Sequence, residues 1–157
     1  MKIFLLTHER EYARKTNTGS LAIEPSNGMV ERILWSRTQP DQQLLQLINA
    51  EQALLIYTKG DGPSAALEDF ENIIIIDATW QESQKIFNKS PYLKAAPQTL
   101  INTDRRSSYR LRRNQPDGGL CTIECIIEIL KVKGNNELAA QLEVEFERFN
   151  SGELAGA

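Results

Sequence analysis

Residues 73–82 read Ile-Ile-Ile-Ile-Asp-Ala-Thr-Trp-Gln-Glu, and this stretch decides the fold. Four β-branched residues in a row suit a strand buried on both faces, as in a parallel sheet. The run stops at a charge, Asp77. A helical pattern follows, with Trp80, Gln84 and Phe87 along one face. Thr79 and Glu82 have capping-box spacing, which makes Thr79 the expected N-cap. Asp77 is thus placed where a buried strand turns into a helix, the edge at which open α/β sheets bind ligands.

The rest of the chain repeats that alternation. Lys2 to Thr7, Glu31 to Ser36, Ala53 to Thr58 and Thr99 to Asn102 read as further strands. Between them, Pro40 and Asp41 open an amphipathic helix carrying Leu44, Leu45, Leu47 and Ile48. Arg14 to Gly19 reads as basic helix ended by Asn17 or Gly19. Leu120 to Cys125 opens a helix with Ile123, Ile126, Ile127 and Leu130 facing the core, ended by Gly134. A last helix spans about Asn136 to Phe149, with Leu138, Leu142, Phe146 and Phe149 inward. Strands alternating with helices predict one layered α/β domain over residues 1–157, its mostly parallel sheet flanked by helices.

Composition narrows the function classes. The apolar start, Ile3 to Leu6, is too short for a signal peptide or a membrane span, so a cytoplasmic protein is expected. One histidine, His8, and two cysteines, Cys121 and Cys125, are too few for a cysteine-rich zinc site or an iron–sulfur cluster. No metal is therefore expected, and the thiols read as reduced and structural. His8 reads as a surface or capping residue. The net charge of −3 makes no global case for nucleic acid. Five of the nine residues from Arg105 to Arg113 are nevertheless arginine: Arg105, Arg106, Arg110, Arg112 and Arg113. Interleaved with Tyr109, they favour phosphate contact over a merely solvated face, because arginine forks match phosphate geometry.

Asp77-Ala78-Thr79-Trp80 resembles the Asp-x-Thr-Trp signature of the DTW-domain family. Three further stretches extend the likeness. Arg14 to Gly19 resembles an early family segment in which a basic residue precedes Asn-Thr-Gly. Ser108 to Arg112, and then Gly119 to Glu124 after a Pro/Gly turn, resemble the family's C-terminal signature. The family usually has serine where this chain has Cys121. A thiol is a poor acceptor, so either Thr122 takes over the cap or the first amides are left to a ligand.

The resemblance implies a SPOUT-like fold with a C-terminal trefoil knot, here without the N-terminal zinc-binding cysteine cluster of many relatives. It implies transfer of the 3-amino-3-carboxypropyl group of S-adenosylmethionine to N3 of a tRNA uridine. Asp77, as base, with Thr79 and Trp80 would form the catalytic set, although Trp80 also reads as core and Glu124 first as a cap partner. Thr58, Gly60, Leu120, Cys121, Thr122 and Glu124 would hold the donor, with the amides of Cys121 to Glu124 receiving its carboxylate. Arg14, Asn17 and the five arginines would contact tRNA. The protein would be a monomer or a homodimer. A SPOUT-type RNA methyltransferase and a non-catalytic RNA-binding module are the alternatives.

Overall fold

The computed structural model describes residues 1–57, 65–101 and 120–152. Its centre is a parallel five-stranded sheet: β1 (Lys2–Thr7), β2 (Val30–Leu34), β3 (Ala53–Ile56), β4 (Asn72–Asp77) and β5 (Gln98–Thr99). The strand order is β2-β1-β4-β3-β5, so β1 and β4 lie in the middle. They pair along their full length, Lys2 with Asn72 through Thr7 with Asp77.

Six α-helices accompany the strands: α1 (Glu9–Tyr12), α2 (Gln42–Asn49), α3 (Trp80–Asn88), α4 (Pro91–Lys94), α5 (Thr122–Val132) and α6 (Asn136–Asn150). The β1 and β4 sequences are apolar at every central position because both faces are covered. On one face Ile3, Leu5, Leu54, Ile73 and Ile75 meet a 3-10 turn at Gly19–Ala22 and the apolar sides of α5 and α6. On the other, Phe4, Leu6, Leu55, Ile74 and Ile76 meet Leu44 and Ile48 of α2, Ile86 and Phe87 of α3 and Leu93 of α4. Each fully buried side chain of this size contributes roughly 1.5–3 kcal/mol of transfer free energy, so the two half-cores hold the layers together.

The connections leaving β1 and β4 diverge. The chain after β1 crosses the α5/α6 face to β2, and the chain after β4 crosses the opposite face to β5. Adjacent strands whose connections part in this way define the switch point of an open α/β sheet. Thr7 and Asp77 end those two strands.

Three sequence expectations are corrected here. Arg14 to Gly19 is not helical: α1 ends at Tyr12, and Asn17 binds the backbone amide of Ser20 through its own carbonyl oxygen, at 2.8 Å. Such a local bond competes with helix. The last strand is Gln98–Thr99 rather than Thr99 to Asn102. Leu138 is only half-buried, while Leu142, Phe146 and Phe149 are buried as expected. The expected trefoil knot depends on residues 102–119, which lie outside the described residues. Among the described residues, no helix is long and apolar enough to cross a membrane, and no group of three or more His, Cys, Asp or Glu side chains is placed to hold a metal.

Candidate active site at the carboxyl edge of β1 and β4

Asp77 ends β4 with only 1% of its surface exposed. Asn17 Nδ2 donates to both of its oxygens, at 3.1 and 3.0 Å. Thr122 Oγ1 donates to Oδ1 at 2.8 Å and Thr7 Oγ1 to Oδ2 at 3.3 Å. Removing a carboxylate from water costs several kcal/mol, and each bond to a charged group returns roughly 1.5–3 kcal/mol. The balance is uneven: burial pushes the Asp77 carboxyl above its ordinary value, although the Asn17 and Thr122 bonds pull it down. A general base needs an oxygen within reach of the substrate's proton. Both Asp77 oxygens face internal donors in this arrangement, which holds the carboxylate in place.

Asn17 is the hub of the cluster. It is 2% exposed, and its amide nitrogen also donates to Glu11 Oε1 at 3.0 Å. Its carbonyl oxygen accepts from Arg32 at 2.9 Å as well as from the Ser20 amide. The Arg32 guanidinium in turn lies 4.2 Å from the Tyr12 ring centroid.

Arg14 forks onto Glu82 in the bidentate geometry that suits guanidinium and carboxylate, with contacts of 3.0 and 2.9 Å. It also pairs with Glu11. Both terminal nitrogens of Arg14 are thereby engaged inside the protein. Arg14 and Asn17 hold α1 and its following loop to α3 and β4. Against its burial, the Arg14 and Thr79 bonds bring the Glu82 carboxyl down to about 2. His8 caps α1, its Nδ1 accepting from the Arg10 amide at 3.1 Å. It is buried rather than on the surface, with its ring against Trp35.

Thr79 caps α3 as the spacing predicts. Its hydroxyl accepts from the Glu82 amide at 3.2 Å, and Glu82 Oε1 accepts from the Thr79 amide at 3.0 Å. Trp80 follows, half-buried at the sheet edge. Its ring stacks on Tyr57 at 6.4 Å, and Tyr57 stacks on Phe87 at 4.2 Å. Trp80 therefore joins the core through Tyr57 and still shows part of its surface.

The start of α5 completes the edge. Leu120 is half-buried, and Cys121 stands at the N-cap. Glu124 is fully buried, and its Oε1 accepts from the Cys121 amide at 3.0 Å. Burial first, and then the neighbouring Glu124 charge, raise the Cys121 thiol far above its ordinary value, so it stays protonated. Thr122 does not take over the cap, because its hydroxyl goes to Asp77. Cys121 keeps it, its sulfur accepting from the Glu124 amide, and Thr18 adds a bond, its Oγ1 accepting from the Ile123 amide at 3.2 Å. Two of the amides expected to hold a ligand's carboxylate, those of Cys121 and Ile123, are thus engaged internally.

Comparison with known sequences gives this arrangement a context. A sequence model of the DTW domain matches residues 1–152. The chain belongs to the DTW domain family. Curated members named tRNA-uridine aminocarboxypropyltransferase 2 are similar to it. The Drosophila melanogaster protein is 28% identical over 143 residues, covering 83% of this chain and 55% of that protein. The Macaca fascicularis protein is 28% identical over 104 residues, covering 61% and 34%. The Mus musculus protein is 23% identical over 145 residues, covering 85% and 48%. The chain thus spans about half or less of the length of these relatives. No solved structure matches.

Within this DTW domain, the family's Asp77, Thr79 and Trp80 stand at the switch-point edge, and Thr122 and the α5 start meet them there. Thr58, Gly60 and the five arginines from Arg105 to Arg113 lie outside the described residues. Thr7, Glu11, Thr18, Gly19 and Arg32 belong to the same cluster although nothing singled them out in the sequence. Thr18 and Gly19 sit in the Asn-Thr-Gly triplet, a signal that was present but was read only for Asn17.

Proposed function

We propose that this protein transfers the 3-amino-3-carboxypropyl group of S-adenosylmethionine to N3 of a uridine in tRNA. One observation carries the reading: a DTW domain spans nearly the whole chain, and its relatives bear the name of that transferase. The sulfonium donor supplies an activated carbon, so the S–C bond breaks with its electron pair passing to sulfur. The N3–C bond forms, the N3 proton leaves to solvent, and 5′-methylthioadenosine is released.

The chain's own part in this is orientation, which by itself can lower a barrier substantially. Asp77 and Asn17 fix the ends of β4 and α5. The half-exposed face of Trp80, backed by Tyr57, suits the positive sulfonium through its ring quadrupole. Thr58 and Gly60 after β3, and Leu120 to Glu124 at α5, flank that face in sequence and complete the donor site in this proposal. Arg105, Arg106, Arg110, Arg112 and Arg113 then grip tRNA phosphates without reading bases. Arg14 supports them indirectly by fixing α1. A SPOUT-like fold with a C-terminal trefoil knot, a cytoplasmic location and a monomeric or dimeric state belong to the same proposal.

Incubation with S-adenosylmethionine and unmodified tRNA, followed by nucleoside mass spectrometry, tests it. Aminocarboxypropyl-uridine with methylthioadenosine is expected. Methylated nucleoside with S-adenosylhomocysteine would make the protein a methyltransferase, and unchanged tRNA with no donor affinity would reduce it to a binding module.

A further inference from the structure

The triplet Asn17-Thr18-Gly19 touches the start of α5 in three different ways. Asn17 holds the Asp77 carboxylate, and Asp77 holds the Thr122 hydroxyl. Thr18 is 4% exposed and accepts from the Ile123 amide across 105 residues of chain. Its hydroxyl also bonds the Cys121 thiol. Gly19 lets the parts close. A Cβ placed there would lie 3.0 Å from Asp77 Oδ2, 3.0 Å from Leu5 Cδ1 and 3.0 Å from the Thr122 methyl. Any side chain would have to push at least one of these aside.

The need for such a device follows from the helix itself. A thiol stands where a hydroxyl would ordinarily accept from the first-turn amides, and thiols accept weakly. The helix start is therefore fastened by side chains from the loop after α1. Cys121 and Glu124 close a capping box, each side chain accepting from the other's backbone amide, but neither bond reaches the Ile123 amide. Thr18 meets that amide from outside the helix.

We propose that Asn17, Thr18 and Gly19 act as a positioning clamp that sets the first turn of α5 for binding of the sulfonium donor. This rests on the reading of function given above. A clamp of this kind acts on affinity through the fraction of molecules with the helix start in place, since apparent affinity scales with the competent fraction. It touches neither donor nor uridine, so these are positioning residues.

The decisive variant is Thr18→Val, which keeps the shape and removes the acceptor. Titration calorimetry with S-adenosylmethionine should show a loss of affinity of about tenfold or more, equivalent to about 1.4 kcal/mol. Thr18→Ser should restore it. Gly19→Ala provides a second route, since it removes no hydrogen bond and should also weaken the donor by displacing Thr122. The control is Ile48→Ala in α2, on the opposite face of the sheet, compared at matched loss of thermal stability. Its donor affinity should stay within twofold of wild type. Amide hydrogen exchange at Ile123 should rise in Thr18→Val and not in Ile48→Ala.

If Thr18→Val and Ile48→Ala lose affinity equally, or if Thr18→Ser fails to restore it, the clamp is refuted and the transferase reading stands. If wild-type protein has no affinity for S-adenosylmethionine, the transferase reading fails and the inference fails with it.

Discussion

Two helices begin at the same sheet edge and are fastened differently. α3 closes on itself: Thr79 and Glu82, three residues apart, exchange both bonds of a capping box. α5 carries the same box between Cys121 and Glu124, with a sulfur in place of the oxygen, and adds a bond from outside. Glu124 reaches back to the Cys121 amide, but the acceptor for Ile123 comes from Thr18 in the first part of the chain. The first attachment is local and survives any rearrangement of the surrounding loops. The second exists only when the tertiary structure does. The difference shows how an amide that a capping box does not reach lets a distant segment hold a helix start.

The contrast can be broken most severely at Asp77. Asp77→Asn places an amide NH2 against the Asn17 Nδ2 donor whichever way it turns, since that nitrogen lies 3.1 and 3.0 Å from the two oxygen positions. A loss of roughly 2–3 kcal/mol is expected from the stranded donors, seen as a lower urea midpoint. The start of α5 should loosen while α3 keeps its amide protection. Equal loosening of both helices would erase the distinction.

Next in size is Glu82, which ties the self-contained helix to Arg14. Its carboxyl takes up a proton only at about 2 in the folded protein, against an ordinary 4.5. The stabilisation it gives is therefore complete above pH 4.5 and is lost as pH falls through about 2. Glu82→Gln should cost about 1.5 kcal/mol at neutral pH, the scale of a bond to a charged group. The gap from wild type should close as the medium is acidified, as thermal melts from pH 7 to 2 would show.

Thr79→Ala should cost about 1 kcal/mol, the usual worth of an N-cap, and should leave amide exchange at the start of α5 unchanged. The finest test is a double-mutant cycle between Cys121→Ser and Thr18→Val. With serine at the cap, loss of the Thr18 acceptor should cost less, by about 0.5 kcal/mol or more. Strict additivity of the two changes would mean that Thr18 and Cys121 do not share the helix start.

The same contrast explains what the sequence revealed. β1, the carboxyl end of β4, the Thr79 cap and the inward faces of α5 were legible because each is written in consecutive or periodic residues. Gln98–Thr99 was misplaced because a two-residue strand carries almost no pattern. The segment from Arg14 to Gly19 was taken for helix because its composition permits one. Its true shape is set by Asn17, whose partners lie 6, 15 and 60 residues away. Asp77 was located correctly at the strand end, yet its burial could not be read, because two of the groups that enclose it come from residues 17 and 122. The charge of Arg14 is plain in the sequence, but the two carboxylates that meet it, Glu11 and Glu82, are not.

The middle of the sheet also imposes an order on synthesis. β1 emerges first, but its principal partner β4 is complete only when residue 77 has been made. The Thr122 hydroxyl, and the α5 side chains that cover Ile73 and Ile75, follow still later. A nascent chain halted before residue 120 would contain all five strands, with one greasy face bare and an acid short of a ligand. Such a fragment should stick to chaperones rather than fold, so this domain's maturation waits on its last quarter.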